Sequence, residues 1–310
     1  MNYVLGIDIG GTNTVAGIVD NKGTILYELH FETKKYSSIN YLIQDIYIKY
    51  LEFQRESDIN ISGIGIGAPN GNYYNGYIEF APNLKWGNNI PIVKITENIF
   101  HLPVKLTNDA NAAAIGEKFF GCAKEMNNFV VLTLGTGLGS GIYVNGNIIH
   151  GEHGYAGEFG HTKFDNIDRL CNCGSNGCLE TVVSSRGIKQ TYKDIYFSEH
   201  NTIFLTEISV PDIYKLALQN DNIACKTFEY TARILAKGLV NLITILDPEA
   251  IILFGGIANA HKLLIPIIEI EINKEVLNVF KNKVKILPSA LLNKNAAVLG
   301  SAALLFNSKL

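Results

Sequence analysis

The stretch VLGIDIGGTNTVAGIV, residues 4–19, decides the fold of this 310-residue chain. Val4 to Ile9 is an apolar run that ends in Gly10-Gly11-Thr12-Asn13, and a second apolar run covers Val15 to Val19. Two short apolar runs around a glycine turn predict a β-hairpin. The two glycines allow backbone N–H groups to approach an anion, the following threonine and asparagine add donors, and Asp8 is placed to hold the water shell of a metal ion.

The same pattern recurs at VVLTLGTGLGSGIYV, residues 130–144. Leu5 to Gly10 aligns with Val130 to Gly135, so the chain is predicted to contain two related halves, each beginning with a strand, a glycine turn and a returning strand. One such turn alone is equally consistent with an ordinary hairpin in which Asp8 is a cap, but the repeat favours two phosphate loops, the second at Gly135-Thr136-Gly137. Neither copy has the Gly-Lys-Ser/Thr ending of a Walker loop.

Other segments supply the remaining predicted elements. The spacing of apolar residues predicts helices at 39–53, 90–100, 211–219, 223–246 and 295–306, and strands at 61–67, 104–106 and 250–254. The last strand ends in Gly255-Gly256, where bare backbone would let a flat ring or a ribose lie close. A simple strand-to-helix turn explains this diglycine equally well.

The box Asn108-Asp109-Ala110-Asn111 lies where a strand meets an alanine-rich helix that is predicted to close at Gly121. Asp109 is either a helix cap or a functional carboxylate. Capping accounts for one of the three polar residues, so a functional Asp109 is favoured. Asn83 stands near Trp86, the one tryptophan, whose ring is expected either to pack or to shape a sugar pocket.

The segment from Gly154 to Glu180 brings an acid, a histidine and three of the five cysteines together. One imidazole and three thiols suit tetrahedral zinc, and a site with four protein ligands is structural. The metal would hold this loop in one conformation and so position Glu158 and Glu180. The alternatives are buried thiols with a chance histidine, or a disulfide. The predicted ligands are His161, Cys171, Cys173 and Cys178.

Composition limits the classes of function. With 47% hydrophobic residues the chain is long enough to bury substantial cores. Its net charge of -3 does not indicate a basic surface that would bind nucleic acid or an anionic membrane. The N-terminus lacks the basic region of a signal peptide, and no run suits a membrane span. A cytoplasmic enzyme acting on a small ligand is therefore expected. The odd cysteine count indicates a reducing compartment, with Cys122 and Cys225 as buried apolar side chains.

Taken together, these motifs in this order resemble the ROK family of sugar kinases and repressors, over essentially the whole chain. The motifs are the Asp8 to Asn13 loop, the Asn108 to Asn111 box, the Leu134 to Gly141 loop, Ala156 to His161 and Cys171 to Glu180. The resemblance implies two actin-like (ribonuclease H-like) α/β domains around a central cleft. The predicted domains are 1–108 plus 295–310, and 109–294 with the zinc-stapled sugar loop. One departure is Asn70, where the family pattern has glycine.

The resemblance also implies residue roles. The ATP phosphates would be bound by two loops, one with Gly10, Gly11, Thr12 and Asn13 and the other with Gly135, Thr136 and Gly137. Gly255 and Gly256 would lie near the adenosine. Asp8 would hold the water shell of Mg²⁺. The sugar hydroxyls would be bound by Asn83, Asn108, Asp109, Glu158, His161 and Glu180. Asp109 would be the catalytic base. The expected partners are the sugar, ATP and a second copy of the chain in a homodimer.

The resulting hypothesis is ATP-dependent phosphorylation of a hexose at its 6-hydroxyl, with glucose as the first candidate. Phosphoryl transfer requires Mg-ATP in line with a hydroxyl, charge stabilisation and a carboxylate to accept the proton, and the motifs supply each part. An N-acetylmannosamine kinase or a fructokinase is the alternative. A sugar-responsive repressor is expected to carry a helix-turn-helix segment, for which there is no room before the strand that starts at Tyr3.

Overall fold

The computed structural model describes residues 3–292 and 294–306. Internal contacts divide these residues into two units, the first made of 3–126, 141–157 and 294–306, the second of 127–140 and 158–292. The domain assignment expected from the sequence stays a prediction, and its residues 1, 2, 293 and 307–310 lie outside the described ranges.

The strands of the described residues are β1 (Tyr3–Ile9), β2 (Asn13–Val19), β3 (Ile25–Glu32), β4 (Ile61–Ala68), β5 (Ile78–Glu79), β6 (Asn89–Ile90), β7 (Val104–Asn108), β8 (Phe129–Leu134), β9 (Leu138–Val144), β10 (Asn147–Ile148), β11 (Ala250–Phe254) and β12 (Lys285–Pro288). The helices are α1 (Ile39–Ser57), α2 (Ile92–Phe100), α3 (Asp109–Phe120), α4 (Glu180–Val183), α5 (Ser185–His200), α6 (Val210–Leu218), α7 (Asn222–Leu246), α8 (His261–Glu275) and α9 (Ala296–Phe306).

Two five-stranded sheets share one topology. The first has the order β3-β2-β1-β4-β7 and the second the order β10-β9-β8-β11-β12. In the first, β1 pairs antiparallel with β2 and parallel with β4, and β4 pairs parallel with β7. In the second, β11 lies parallel between β8 and β12. The predicted duplication of the strand-turn-strand unit is thus a duplication of whole sheets.

The core of the first unit is a layer of isoleucine and leucine side chains from β1, β2, β4 and α1. The terminal helix α9 packs against β1, β4 and α3. Two glycines allow the backbone of α9 to lie directly against the backbones of β4 and α3. A Cβ at Gly65 would overlap the carbonyl oxygen of Ser301, and a Cβ at Gly300 would overlap that of Ala112. Helix and sheet therefore fix the carboxyl ends of β1, β4 and β7 tightly.

The expectation that Cys122 and Cys225 are buried needs correction. Cys225 is exposed, not buried, because it lies on the solvent face of α7, and Cys122 is only half-buried, with its thiol 3.3 Å from the carboxylate of Glu117. Trp86 serves packing: it lies against the core of the first unit, and its indole N–H donates to the carbonyl of Tyr36 at 2.9 Å.

Asn70, which departs from the glycine of the family pattern, has a left-handed backbone. Its φ is 52°, in the left-handed region that asparagine tolerates better than other residues with a Cβ. Its side-chain amide donates to the carbonyl of Phe80 at 3.1 Å. The substitution is therefore compatible with the tight turn after Pro69.

Among the described residues, no helix combines the length and apolar character needed to cross a membrane.

Candidate functional site

The carboxyl end of the first sheet carries two acids. Asp8 lies near the end of β1, and Asp109 opens α3 directly after β7. The cap of this helix is Asn108, whose side-chain oxygen accepts from the N–H groups of Ala110 at 2.7 Å and Asn111 at 3.3 Å. Asp109 is exposed to solvent, and its Oδ1 accepts from the Ala110 N–H at 2.8 Å. The carboxylate is thus not needed as the N-cap.

Both acids hold their protons more tightly than usual. Burial raises the pKa of Asp8 to about 7, and the charge of Asp109 adds to the rise. Desolvation by the surrounding protein raises the pKa of Asp109, although hydrogen bonds from the backbone at the start of α3 act in the opposite direction. Desolvation of the Asp109 carboxyl group by nearby protein atoms is the larger effect, although the residue keeps surface accessible to solvent. Raised pKa values of this kind are typical of functional sites.

The first glycine loop is held by its own backbone. The N–H of Gly10 donates to the carbonyl of Asn13 at 2.9 Å, and the carbonyl of Thr12 accepts from Thr33 at 2.9 Å. A Cβ at Gly11 would lie 2.7 Å from the Cβ of Asn83, so this predicted sugar residue lies beside the loop. Thr12, Asn13 and Asn83 are all exposed to solvent.

The second glycine loop lies beside the diglycine. β8 ends at the loop and pairs in parallel with β11, which ends at Gly255. Gly255 has a φ of 95°, which requires glycine, and Gly256 is exposed. The carbonyl of Gly135 accepts from the N–H and the hydroxyl of Ser185, at 2.8 and 2.9 Å, which anchors the loop. No atom lies within 4 Å of a Cβ added at Gly135, so the loop is open there.

The four predicted metal ligands of the second unit converge. The ligand atoms of His161, Cys171, Cys173 and Cys178 all lie within 4.8 Å of one another. The segment that carries them has little regular structure: one short 3-10 turn at Phe159–His161, and isolated bridges between Lys163 and Cys178 and between Leu170 and Asn176. One imidazole and three sulfurs in this arrangement form a possible metal site, and the donor set is one that zinc prefers.

Two of the thiols, those of Cys171 and Cys173, differ in acidity. The backbone N–H of Ser175 lowers the pKa of Cys173 to about 6, whereas burial raises the pKa of Cys171 to about 12. The ammonium group of Lys163 lies 2.9 Å from the sulfur of Cys178. Close thiolates repel one another, so a bound cation would be needed to hold all three deprotonated.

The cluster touches the predicted sugar-binding acids. Nδ1 of His161 faces the sulfur of Cys171 at 3.7 Å, while its Nε2 lies 3.8 Å from a carboxylate oxygen of Glu158. Glu180 accepts from the thiol of Cys171 at 3.6 Å and from the N–H of Leu138, in the glycine loop, at 3.0 Å. One ring nitrogen of His161 is thus oriented toward the sulfurs and the other toward Glu158.

The predicted site residues therefore fall into two groups. The first unit holds Asp8, Gly10, Gly11, Thr12, Asn13, Asn83, Asn108 and Asp109, and the second holds Gly135, Thr136, Gly137, Glu158, His161, Cys171, Cys173, Cys178, Glu180, Gly255 and Gly256. Within each unit the structure brings distant parts of the sequence together.

The sequence analysis missed a polar network in the first unit. Asn72, Glu79 and Tyr155 are linked by hydrogen bonds, and Tyr155 donates to the Glu79 carboxylate across 76 positions of sequence. The available signal was an asparagine-rich and tyrosine-rich loop directly after Pro69, but nothing in it indicated the partner segment.

Comparison with known proteins identifies the family. The sequence profile of the ROK family matches residues 4–308. A xylose repressor from Bacillus spizizenii is 32% identical over 305 residues, which cover 97% of this chain and 76% of the repressor. A glucokinase from Thermotoga maritima is 29% identical over 309 residues, covering 97% of this chain and 96% of that enzyme.

Solved structures agree. The crystal structure of a ROK family glucokinase from Streptomyces griseus, in complex with glucose and AMPPNP, has a TM-score of 0.82 and 30% identity, covering 98% of this chain and 99% of that one. The predicted fold class of two actin-like, ribonuclease H-like α/β domains is thereby confirmed. The duplicated sheets, the family profile and the structural match together show that this chain belongs to the ROK family.

Proposed function

We propose that the chain is an ATP-dependent hexose kinase that phosphorylates the 6-hydroxyl, with glucose as the substrate. The observation that carries this proposal is the position of Asp109: an exposed carboxylate at the head of α3 that the Asn108 cap leaves free for chemistry. The glucokinase relatives support the same reaction class. A repressor that only senses sugar would have no need of a base.

Asp109 would accept the proton of the sugar hydroxyl as the bond from that oxygen to the γ-phosphorus forms and the bond from phosphorus to the ADP oxygen breaks. The desolvation that raises the pKa of Asp109 makes its carboxylate a stronger base than an ordinary aspartate. Binding of Mg²⁺ with ATP would neutralise charge on the transferred phosphoryl group. Asp8, at the end of β1, is our candidate for orienting that ion.

The two glycine loops would bind the phosphates through backbone N–H groups, and Gly255 and Gly256 would leave room for the adenosine. The openness around Gly135 supports this assignment, because a phosphate can approach backbone only where no side chain intervenes.

We assign Zn²⁺ to the cluster of His161, Cys171, Cys173 and Cys178. All four positions would be filled by protein, so its role would be structural. Through Nε2 of His161, and through Glu180 beside Cys171, the metal would hold the polar groups that pair the sugar hydroxyls. A sugar lacking one of these hydroxyls would leave a buried polar group unpaired, which is the expected source of selectivity.

The second candidate is a sugar-responsive repressor, which the xylose repressor relatives favour. The two candidates differ in turnover. A coupled assay of ADP formation on a panel of glucose, mannose, fructose, N-acetylmannosamine and xylose should show the highest kcat/KM for glucose. A preference for N-acetylmannosamine or fructose would keep the kinase and change the substrate. Binding of a sugar without ADP formation would favour the repressor.

A further inference from the structure

Two segments of the first unit, 70–80 and 150–157, are joined by side-chain contacts although they lie far apart in the sequence. The first segment ends three positions before Asn83, and the second ends directly before Glu158. Each therefore runs straight into a residue that we propose to bind the sugar. Contacts that fix the first segment against the second therefore also limit where Asn83 is placed.

Asn72 and Glu79 form the centre of the contact. The buried amide of Asn72 donates to the carbonyl of His153 at 2.9 Å and to the Glu79 carboxylate at 2.9 Å. The hydroxyl of Tyr155 donates to the same carboxylate oxygen, and this bond lowers the pKa of Glu79. A Cβ at Gly154 would lie 2.8 Å from the Asn72 side-chain oxygen, so the two segments touch closely.

An aromatic stack adds to these bonds. The rings of Tyr73 and His150 lie 4.2 Å apart and 8° from parallel. Both ring nitrogens of His150 are buried without a hydrogen-bond partner, and burial lowers the pKa of this histidine. The carbonyl of His150 accepts from Ala156 at 3.0 Å, which closes the turn that presents Tyr155. The histidine thus contributes packing, and its burial disfavours the protonated form.

The Glu79 carboxylate is already occupied by donors from the protein. Its second oxygen accepts from the side-chain amide of Asn75 at 3.1 Å, and Asn72 also accepts from the N–H of Tyr74 at 3.0 Å. A carboxylate that receives three side-chain donors is suited to holding segments together. It is poorly suited to binding a sugar hydroxyl itself.

We propose that Asn72, Glu79 and Tyr155 form a clamp that joins segments 70–80 and 150–157 and thereby positions Asn83 for the sugar, and this inference rests on the proposed function. The three are positioning residues and touch no reacting atom. Of the charge-assisted hydrogen bonds to the Glu79 carboxylate, the bond from Tyr155 is the one that joins the two segments, so its loss should be measurable.

The test is a double-mutant cycle with Tyr155→Phe and Glu79→Gln. Each single variant should raise the KM for the sugar about fivefold, as expected for the loss of one hydrogen bond to a charged group, and leave kcat and the KM for ATP within about twofold. In the double variant the KM for the sugar should rise by less than about tenfold. This is well below the product of the two single effects, because both substitutions remove the same hydrogen bond. Tyr41→Phe removes the hydroxyl of another exposed tyrosine, on α1 outside the clamp, and is the matched control.

Hydrogen exchange provides a readout that needs no substrate. Peptides covering 150–157 should exchange faster in Tyr155→Phe than in the wild type, and unchanged exchange would overturn the clamp even if the chain were not a kinase. If the wild type binds sugar without turnover, the kinase proposal fails, and the same cycle is then measured as sugar affinity by calorimetry. Single variants with unchanged sugar KM or affinity, or effects that multiply in the double variant, would also overturn the clamp.

Discussion

The acid-bearing end of the first sheet and the cysteine cluster of the second unit reach their geometry in opposite ways. Asp8 and Asp109 lie at the ends of regular elements, and α9 makes close backbone contact with that sheet at Gly65 and with α3 at Gly300. The segment 158–179 has one 3-10 turn and isolated bridges, and its convergent groups are sulfur and imidazole. The end of the first sheet is held in place by packing. The cysteine cluster instead has the ligand atoms with which a bound metal would hold its segment in place.

This difference indicates how each region should fail. Where packing fixes the backbone, an isosteric change of a carboxylate should alter chemistry or protonation and leave the fold intact. Where a metal is needed, loss of one ligand should loosen the whole segment, because its regular structure is limited to one 3-10 turn and isolated bridges. The following predictions test this contrast, beginning with the largest expected effect.

Replacing Asp109 by asparagine should lower kcat by about 10²- to 10⁴-fold, because the amide cannot accept the hydroxyl proton. The Asn108 cap is untouched, so the free energy of unfolding should change by less than about 1 kcal/mol. Steady-state kinetics and urea denaturation measure the two quantities. Asp58→Asn, at the exposed C-terminal cap of α1, is the isosteric control and should be silent. Retention of more than about a tenth of kcat would place the base elsewhere, with Glu158 as the next residue to change.

Replacing Asp8 by asparagine should stabilise the folded chain at alkaline pH. The folded-state pKa of about 7 exceeds the ordinary 3.8, so ionisation of Asp8 opposes folding. This destabilisation begins as the pH rises through 3.8 and levels off above about 7. The difference of about three between the two pKa values corresponds to at most about 4 kcal/mol of unfolding free energy. Urea denaturation at pH 8 and pH 4 measures it. A stabilisation that is equal at both pH values would contradict the assignment.

Cys173→Ser should raise the KM for the sugar by about 10- to 100-fold and lower the Tm, with a smaller change in the KM for ATP. Elemental analysis of the wild type should find about one zinc per chain. Cys225→Ser changes an exposed thiol outside the cluster and serves as the control. If the wild type purified without chelator holds no zinc, or if Cys173→Ser keeps its sugar KM and Tm, the metal assignment is wrong.

Gly135→Val should raise the KM for ATP by about tenfold and change the KM for the sugar by less than about twofold. An added Cβ meets no protein atom within 4 Å, so the fold should tolerate the change and the loss should come from the phosphate. Circular dichroism checks folding, and kinetics with each substrate varied in turn separates the two constants. An effect on the sugar alone would remove this loop from the nucleotide site.

Much of the fold was predictable from the sequence because its signals are local. The strand at Ala250–Phe254 has the predicted bounds, and the hairpin at residues 4–19 forms as β1 and β2. The bounds of other elements shift by a few residues, as in α1, which continues to Ser57. No prediction was made for β3 or for α8, which contains Pro266, a residue that usually marks a helix end.

The candidate site was predictable only where the motif lies within a few residues. The cysteine spacing predicted the convergence of four ligands, and the structure shows it. The bond between Glu79 and Tyr155 was not predictable, because it joins residues 76 positions apart and depends on side-chain directions in two loops. The raised pKa of Asp8 likewise required knowledge of its burial and of Asp109 nearby.

The central claim is that this chain transfers a phosphoryl group to a sugar. The most direct measurement is phosphorus and carbon NMR of the products after incubation of the wild type and Asp109→Asn with ATP, Mg²⁺ and ¹³C-labelled glucose. The account predicts ADP and glucose 6-phosphate in equal amounts from the wild type, and a rate lower by about 10²-fold or more from the variant. Formation of no sugar phosphate from any hexose of the panel by wild-type protein that binds sugar would contradict it.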